Sequence, residues 1–568
     1  MVGHADNEAD APVELVLGPL LRYAGTESAT FWVETSEACE VEILDERVKT
    51  FTVEGHHFAL VLVESLDPGS IIPYEVRLDG RVVWPPRDGR PLPAVHTREG
   101  ERQVRLIFGS CRVGDPQPTG GDAPTGIDAL WTYARQLQRG ELNWPDALLL
   151  LGDQVYADEV SPETAAFIRA RRDTRDPPGG QVADFEEYTR LYRESWSDPD
   201  IRWLLATVPS VMIFDDHDVN DDWNISWQWV EEMRARPWWD SRITGAFMSY
   251  WVYQHIGNLS PPELAADETL PLVRADRDAG DRLRTLARRW DRESAASRWA
   301  FYRDFGDSRL LVLDSRAARE LADDRREMID EEEWDWIVDH SQGRFDHLVI
   351  ASTLPVFLPP GIHHLEAWNE AVCAGRWGKI AARIGEWLRR TADLEHWAAF
   401  NTSFERLCAW LARLASADDP AAPATIVLLG GDVHNAYIGD VKVIAGQRSR
   451  IVQVVCSPFR NPLSAKERRI VRATASAPAA RVFQFLARMA GVPAQSADWR
   501  LIRRQTFDNS IGELELDARS ARVTIWRSPH RGEDVERLVP LHRTDLAAGE
   551  GAGEQVPTKE GELEHAHT

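Results

Sequence analysis

The sequence predicts a layered α/β protein that is preceded by a small all-β domain. Residues 13–97 contain only short segments of alternating β-type residues, whereas the following residues alternate apolar strands with long helical segments. A chain of 568 residues is also too long for one ordinary hydrophobic core. We therefore expect a flexible start at 1–12, a β-sandwich at 13–97, a larger domain with helical inserts at 103–542 and a disordered acidic tail at 543–568.

The predicted first domain is recognised by its strand and turn chemistry. Segments such as "ATFWVETSEACEVEILD" and "HFALVLVESL" are rich in β-branched and aromatic residues, and Gly, Asp, Ser and Pro separate them. This pattern is typical of a small sandwich. The segment "WPPRDGRPLP" then predicts a linker, because its prolines and glycine cannot continue a strand or a helix.

The larger domain contains six apolar segments that we interpret as strands. Long helical segments such as "GIDALWTYARQLQRG" and "MIDEEEWDWIVDHSQ" lie between them, so a sheet covered by helices is expected, with its site on the loops after the strands. The tryptophan-rich stretch "WNISWQWVEEMRARPWWDSRITGAFMSYWVYQHIG" is interpreted as helices packed over the sheet. The six strand segments are "QVRLIFGSCR", "DALLLLGDQVYAD", "SVMIFDDHDVND", "SRLLVLDSR", "FDHLVIASTLPVF" and "ATIVLLGGDVHN".

Composition narrows the classes of partner and the compartment. The net charge of −26 argues against a broad nucleic-acid surface, which needs clustered Lys and Arg, but it allows a small phosphorylated substrate held by metal ions. No segment reaches the roughly 18 apolar residues that span a bilayer. The N-terminus lacks the pattern of a secretory signal, and the five cysteines are scattered. We expect a cytoplasmic protein, unless an export leader has been removed, and the oligomeric state stays open.

Four strand ends carry side chains that bind metals: "GSCR", "GDQVY", "DDHD" and "GGDVH". A single Asp after a strand often caps a turn, and a single His is more often structural. Four such ends in one chain are hard to explain as capping. The candidate metal ligands at these strand ends are Cys111, Asp153, Tyr156, Asp216, Asp432 and His434.

The types of ligand indicate a mixed metal site. Cys111 and Tyr156 must lose protons to bind, which favours a Lewis-acidic transition metal. Carboxylates such as Asp153, Asp216 and Asp432 suit hard cations, namely calcium, magnesium or manganese. Asp153 is the natural bridge, because its two oxygens can serve two ions.

Together these motifs resemble the PhoD-type alkaline phosphatases, the branch of the calcineurin-like metallophosphoesterases that contains Cys and Tyr. The resemblance runs from about Val13 to Val535 and includes "LVLDSR", "WNE" and "EHWAAF". It implies the metallophosphoesterase β-sandwich flanked by helices, after an immunoglobulin- or fibronectin-like domain. The usual Asp-x-His motif is absent, and Cys111 stands in its place. "DDHD" corresponds to the superfamily's Gly-Asn-His, with Asp216 in place of Asn.

The resemblance also implies cofactors and roles. Iron(III) would be held by Cys111, Asp153 and Tyr156 with help from Asp432, and calcium would lie near Asp216 and His434. Zinc or manganese could replace iron. Two such cations would clamp a phosphate ester and activate water to attack phosphorus in line with the leaving oxygen.

Three further residues are candidate catalytic groups. His217 inherits the catalytic histidine position and would assist the leaving group. Arg112 and Arg316 could hold phosphate oxygens, but pairing of each with nearby acidic residues is an equal alternative.

The leading hypothesis is therefore a metal-dependent phosphoric ester hydrolase acting on small phosphodiesters, monoesters or both. A catalytically silent scaffold or binding protein, stabilised by metal, is an alternative from another class. A nuclease or phospholipase on the same metal centre is an alternative within enzymes. The net charge weighs against long nucleic acids.

Overall fold

A computed structural model describes residues 12–100, 103–114, 125–322, 325–530 and 532–546. The predicted flexible start lies outside these residues except for position 12, and the predicted tail lies outside them from 547 onward. The tail was predicted to begin at 543, but residues 543–545 pair with the preceding strand of a sheet. Their alternating side chains and backbone hydrogen bonds continue that sheet, so this end of the prediction is too early.

The first part of the chain forms a sandwich of two four-stranded sheets. The sheets have the orders β1-β2-β6-β5 and β4-β3-β8-β9, and β10 pairs with β7 beside them. Phe31, Val41, Val61 and Val76 are fully buried in the core of this domain. The predicted all-β start is confirmed. Its strands are β1 Leu15–Ala24, β2 Ala29–Thr35, β3 Glu40–Ile43, β4 Glu46–Lys49, β5 Phe51–Val53, β6 His56–Val63, β7 Ile71–Pro73, β8 Val76–Leu78, β9 Arg81–Trp84 and β10 Ala94–His96.

Over its described residues, the larger domain contains two sheets and a short ribbon. Its strands are β11 Val104–Gly109, β12 Ala147–Leu151, β13 Ser210–Ile213, β14 Phe301–Phe305, β15 Ser308–Val312, β16 Glu320–Leu321, β17 Arg326–Glu327, β18 His347–Ala351, β19 Thr425–Gly430, β20 Ala436–Lys442, β21 Arg450–Val455, β22 Asp498–Thr506, β23 Ser510–Asp517, β24 Ser520–Arg527 and β25 Val539–Asp545. All six predicted strands are present, as β11, β12, β13, β15, β18 and β19.

The two sheets pack face to face. The first has the order β13-β12-β11-β23-β24-β25, and the second has the order β14-β15-β18-β19-β21-β20-β22. Strands β11, β12 and β13 are parallel, as are β15, β18, β19 and β21. Buried Leu149 and Ile511 of the first sheet share one apolar cluster with Val349 and Val427 of the second. The layered α/β prediction is therefore confirmed as a sandwich.

Helices cover the outer faces of this sandwich. They are α1 Ala129–Gln138, α2 Pro162–Arg171, α3 Phe185–Trp196, α4 Pro199–Thr207, α5 Trp227–Arg234, α6 Trp239–Ser249, α7 Ile256–Asn258, α8 Pro261–Ala266, α9 Thr269–Ala275, α10 Gly280–Arg292, α11 Glu331–His340, α12 Pro360–Cys373, α13 Lys379–Thr391, α14 Asn401–Leu414, α15 Ala465–Thr474 and α16 Ala477–Met489. Within the described residues, no helix is both long and apolar enough to cross a membrane.

Aromatic packing fixes the helices of the tryptophan-rich stretch. Trp223, Trp239 and Trp251 are buried, and they belong to the same apolar cluster as the sheet residues. These tryptophans therefore have the packing role that the sequence predicted.

A buried arginine ties the first domain to the second. Arg22 on β1 is almost fully buried, and its guanidinium donates hydrogen bonds to the backbone carbonyls of Ser210, Tyr253 and Gln254. Each of these bonds satisfies a buried polar group, so the contact fixes the sandwich against β13 and the helices behind it.

Candidate metal centre

The predicted ligand positions leave their strands through left-handed backbone. The φ angles are 55° at Cys111, 46° at Asp153, 62° at Asp432 and 47° at His434. Residues with a side chain rarely adopt this conformation, and such positions cluster at functional sites. The sharp turns after β11, β12 and β19 therefore direct these four side chains.

A glycine allows the ends of the two sheets to meet. A Cβ atom at Gly431 would collide with the Ser110 side chain and lie 2.8 Å from the carbonyl oxygen of Leu151. The backbone N–H of Asp432 instead donates a hydrogen bond to Ser110 Oγ at 2.9 Å. The end of β19 is thus held against the ends of β11 and β12.

Asp153 lies at the centre of two groups of donor atoms. One group is Cys111, Asp153 and His434, and the other is Asp153, Asp215 and Asp216, with donor atoms within 4.8 Å of one another in each group. Asp153 is fully buried, and neither carboxylate oxygen has a hydrogen-bond partner among the described residues. A buried carboxylate without partners is costly, so this arrangement fits a pair of cations bridged by Asp153.

The pKa values of the donor groups agree with this fit. Burial raises the pKa of Asp153 well above its ordinary value. Burial, and then the charges of Asp153 and Asp432, raise the pKa of the Cys111 thiol. Burial lowers the pKa of His434 to about 4, which leaves the imidazole neutral and able to act as a ligand. A bound cation would supply the positive charge that the anionic forms of Cys111 and Asp153 need.

Tyr156 lies beside this group. Its hydroxyl accepts a hydrogen bond from Asn461 Nδ2 at 3.1 Å, and its ring centroid lies 4.8 Å from that of His217. Burial raises the pKa of the phenol, and the negative charges of Asp153 and Cys111 raise it further. The structure therefore brings Tyr156 to the predicted neighbourhood.

His434 lies with other metal-binding side chains than the resemblance implied. His434 was expected near Asp216, but its donor atom lies with those of Cys111 and Asp153. The reason is the approach of β19 to β11, which places the turn after β19 on the Cys111 side.

Asp216 is held by a buried arginine. Arg316 is inaccessible to solvent, and its guanidinium forms ion pairs with Asp215, with Asp216 at 3.0 Å and with Glu395. Its Nη2 also lies 3.7 Å from Asp432. One arginine therefore pairs with and orients carboxylates from three different loops.

Both candidate phosphate-binding arginines are paired with protein groups. Arg112 is buried, and it donates to Asp128 at 2.7 Å and to the Ser195 carbonyl at 2.6 Å. Asp128 in turn caps the start of α1 by accepting from the Leu130 N–H. The geometry favours the ion-pair alternative for Arg112 and Arg316, because their charges are already directed at carboxylates.

His217 is oriented by a carboxylate on the turn that also carries Tyr156. Asp158 Oδ1 lies 3.0 Å from His217 Nδ1, and the pair is mostly buried. Burial alone would lower the pKa of His217, but the hydrogen bond with Asp158 and the charge of Asp216 raise it well above its ordinary value. Asp158 was part of the quoted "GDQVYAD" segment, although the sequence analysis gave it no role.

His396 is a further residue of the site that the sequence analysis did not single out. His396 Nδ1 lies 2.7 Å from Glu366, and its Nε2 lies 3.2 Å from Asp432 Oδ2. Burial opposes the charge on His396, but the pairing with Glu366 and Asp432 raises its pKa well above the ordinary value. The signal was the "EHWAAF" segment, which was noted only as part of the resemblance.

Two packed sheets with carboxylate, thiol and imidazole groups at their strand ends are the architecture of a metallophosphoesterase. Residues 128–487 match the family model described as PhoD-like phosphatase. Because this match covers more than half of the chain, the protein belongs to the PhoD-like phosphatase family, and the predicted resemblance is confirmed. Membership supports a metal-dependent phosphoesterase.

Three further comparisons concern the first domain, the curated proteins and the solved structures. Residues 12–96 match a family model described as a domain of unknown function, DUF7800. No curated protein matches the sequence. A solved structure of PhoD is similar over 95% of this chain and 93% of its own, with a TM-score of 0.58 and 12% identity, which shows a shared fold. A purple acid phosphatase from yellow lupin (Lupinus luteus) seeds aligns over 93% of this chain and 74% of its own, with a TM-score of 0.48 and 10% identity.

Proposed function

We propose that this protein is a metal-dependent phosphoric ester hydrolase for small phosphodiesters, monoesters or both. The observation that carries the proposal is Asp153, a fully buried carboxylate that has no hydrogen-bond partner among the described residues and belongs to two groups of donor atoms. Family membership supports the same class of reaction.

The donor set supports two different cations. Cys111, Asp153, Tyr156 and His434 would hold iron(III), and Asp153 with Asp216 would hold calcium, because thiolate and phenolate prefer a transition metal and carboxylates prefer a hard cation. When bound, such cations polarise the phosphate ester and lower the pKa of water at the site.

The protein supplies orientation and proton transfer. Asp158 fixes the His217 ring through Nδ1, so that Nε2 can donate a proton to the leaving oxygen. Arg316 holds Asp216, and His396 holds Asp432. We assign Arg316 and His396 positioning roles, since their charged groups are directed at carboxylates that line the site.

The test is hydrolysis of bis(p-nitrophenyl) phosphate and p-nitrophenyl phosphate, side by side, by protein supplied with iron and calcium. Asp153→Asn should lower both rates by about a hundredfold, since even the residues behind a metal ligand contribute about ten- to a hundredfold. The matched control is Asp330→Asn, because Asp330 is equally buried but caps α11 through the Glu333 N–H.

Each result has a defined consequence. If the parent and Asp330→Asn cleave the esters and Asp153→Asn does not, the ratio of the two parent rates ranks diesterase against monoesterase activity. If the metal-supplied parent cleaves neither ester, the hydrolase proposal is overturned in favour of a silent scaffold.

The iron assignment has its own spectroscopic test. A phenolate bound to iron(III) absorbs visible light through charge transfer, so iron-loaded protein should be coloured. Tyr156→Phe should lose the phenolate absorption and keep only that of the Cys111 thiolate. Tyr437→Phe is the control, because Tyr437 is also buried but donates its hydroxyl to the Phe357 carbonyl. A colourless parent whose metal analysis shows no iron would contradict the assignment.

A further inference from the structure

Exposed apolar side chains are concentrated on two short stretches of the larger domain. Among the residues that the structure describes, fourteen large apolar side chains are exposed, and eight of them lie within 377–387 and 470–489. Scattered single residues of this kind are normal on a protein surface, but a concentration of them marks a binding surface.

The apolar residues recur with the period of a helix. Ile380, Ile384 and Trp387 lie four and three residues apart on α13 and are 77%, 61% and 65% exposed. Val482 and Phe485 have the same relation on α16, where Met489 continues the row. Such spacing places each set on one face of its helix. We call these two exposed rows, Ile380–Ile384–Trp387 and Val482–Phe485–Met489, the docking faces.

Both helices pack against α12 through their other sides. On α13, the Gly385 carbonyl accepts a hydrogen bond from Asn369 Nδ2 of α12 at 2.9 Å. On α16, the backbone N of Ala480 lies 3.3 Å from the position of a Cβ atom at Gly361 of α12. The docking faces are therefore turned away from the helix that anchors them.

The hairpin of α15 and α16 contributes little to the core. α15 has no buried residue, and Ala487 is the only buried residue of α16. Apolar side chains on such a hairpin gain little from folding of this chain, so burial against another surface would stabilise them.

The same helices are basic in an acidic protein. Residues 465–489 contain six Lys and Arg against one Glu, whereas the whole chain has a net charge of −26. Residues 379–391 contain four against one Glu, and two of these four, Arg389 and Arg390, pair with acidic side chains. On α13, the exposed Lys379 and Arg383 adjoin the apolar row. Arg481 and Arg488 on α16 are likewise exposed beside its row. Helices that combine an apolar row containing Trp or Phe with Lys and Arg are typical of binding in the plane of a membrane surface.

We propose that the docking faces of α13 and α16 bind the surface of an anionic phospholipid membrane. The apolar rows would enter the interface between headgroups and acyl chains, and the adjoining Lys and Arg would pair with anionic headgroups. This charge complementarity favours a membrane over a neutral apolar partner.

The position of the hairpin relates this surface to the candidate metal centre. Asn461, which donates to the Tyr156 hydroxyl, lies three residues before Ser464, the N-cap of α15. The hairpin therefore follows directly in the chain from a residue that contacts the candidate metal centre.

The test is co-sedimentation of the full chain with vesicles, which needs no enzymatic activity. The parent should bind vesicles of equimolar phosphatidylcholine and phosphatidylserine, and binding should weaken with added salt because surface charges are screened. The double variant Trp387→Ser/Phe485→Ser should reduce the partition coefficient at least about tenfold. The control Ile71→Ser/Leu92→Ser, on the equally exposed Ile71 and Leu92 of the first domain, should bind like the parent.

A second variant separates charge from apolar contact. Arg383→Glu/Arg481→Glu should abolish the preference for anionic vesicles over pure phosphatidylcholine, because each basic residue near the surface contributes about 1 kcal/mol, or roughly fivefold. Equal binding of the parent to both vesicles, or parent-like binding by Trp387→Ser/Phe485→Ser, would overturn the proposal.

Light scattering tests the competing occupant, a second copy of this chain. A parent that is dimeric without vesicles, together with a monomeric Trp387→Ser/Phe485→Ser variant, would show that the docking faces cover each other and would overturn the membrane proposal. Hydrolysis of soluble esters should be unchanged in both variants, so failure here leaves the hydrolase proposal standing.

Discussion

Two sets of buried carboxylates meet at the candidate metal centre, and they differ in what neutralises them. Asp215, Asp216 and Glu395 converge on the guanidinium of Arg316. Asp153, which is equally buried, has no hydrogen bond to either oxygen within the described part of the chain. The first set carries its own cation, whereas the carboxylate at the centre does not.

The difference separates orientation from metal binding. A fixed arginine charge holds a carboxylate in place and occupies part of its lone pairs, which leaves Asp216 fewer positions for a cation than Asp153 has. Leaving Asp153 without partners costs stability in the metal-free protein and keeps both oxygens available for cations. The comparison therefore predicts opposite effects on stability when each set is changed.

The largest effect should follow removal of the buried cation. In metal-free protein, Arg316→Met should lower the free energy of unfolding by about 3–5 kcal/mol, because it leaves buried carboxylates uncompensated. Urea unfolding measures the change. Arg316→Lys should lower the free energy of unfolding by less, because it keeps the positive charge although its ammonium group cannot pair with three carboxylates as the planar guanidinium does.

An exposed ion pair provides the control for this measurement. Arg522 pairs with Asp545 at 2.7 Å, and their side chains are 41% and 73% exposed to solvent. Arg522→Met should change stability by no more than about 1 kcal/mol. If Arg316→Met lowers the free energy of unfolding by no more than Arg522→Met does, Arg316 does not compensate the charges of Asp215, Asp216 and Glu395.

A smaller effect of opposite sign should follow a change at Asp153. In metal-free protein at neutral pH, Asp153→Asn should raise the free energy of unfolding by about 1 kcal/mol, because it removes a buried carboxyl that must either carry its charge without partners or take up a proton at a cost. Added metal should stabilise the parent but not this variant, since only a protein that binds the ligand gains stability from it. A metal-free Asp153→Asn protein that is clearly less stable than the parent would contradict the comparison.

The sequence predicted the strand-end residues because their signal is local. An apolar run followed by a polar turn marks Cys111, Asp153 and Asp432, and parallel strands gather such turns at one edge. His396 and Glu366 belong instead to a helical insert, and only the folding of that insert over the sheet brings His396, held by Glu366, to Asp432. The pairing of Arg316 with three loops is likewise a product of tertiary structure, so spacing along the chain could not decide it.

A protonated histidine between the two domains provides a further, partly buried cation, and its charge depends on pH in the accessible range. His56 on β6 lies between Glu34 of the first domain, at 3.1 Å, and Glu186 on α3, at 2.7 Å. Burial alone would lower the pKa of His56, but its hydrogen bonds with these two carboxylates raise the pKa from 6.5 to about 9.

Because the pKa of His56 is higher in the folded protein than in the unfolded chain, its contribution to stability is complete below pH 6.5 and is lost as the pH rises through about 9. Urea unfolding across this range should show a loss of about 2 kcal/mol in the parent, less than the full linkage value because the ring is partly exposed. His56→Gln should flatten this dependence, whereas His530→Gln, on an exposed histidine paired with Asp508, should retain it. The same slope in His56→Gln as in the parent would show that Glu34 and Glu186 are not joined across the two domains by an imidazolium.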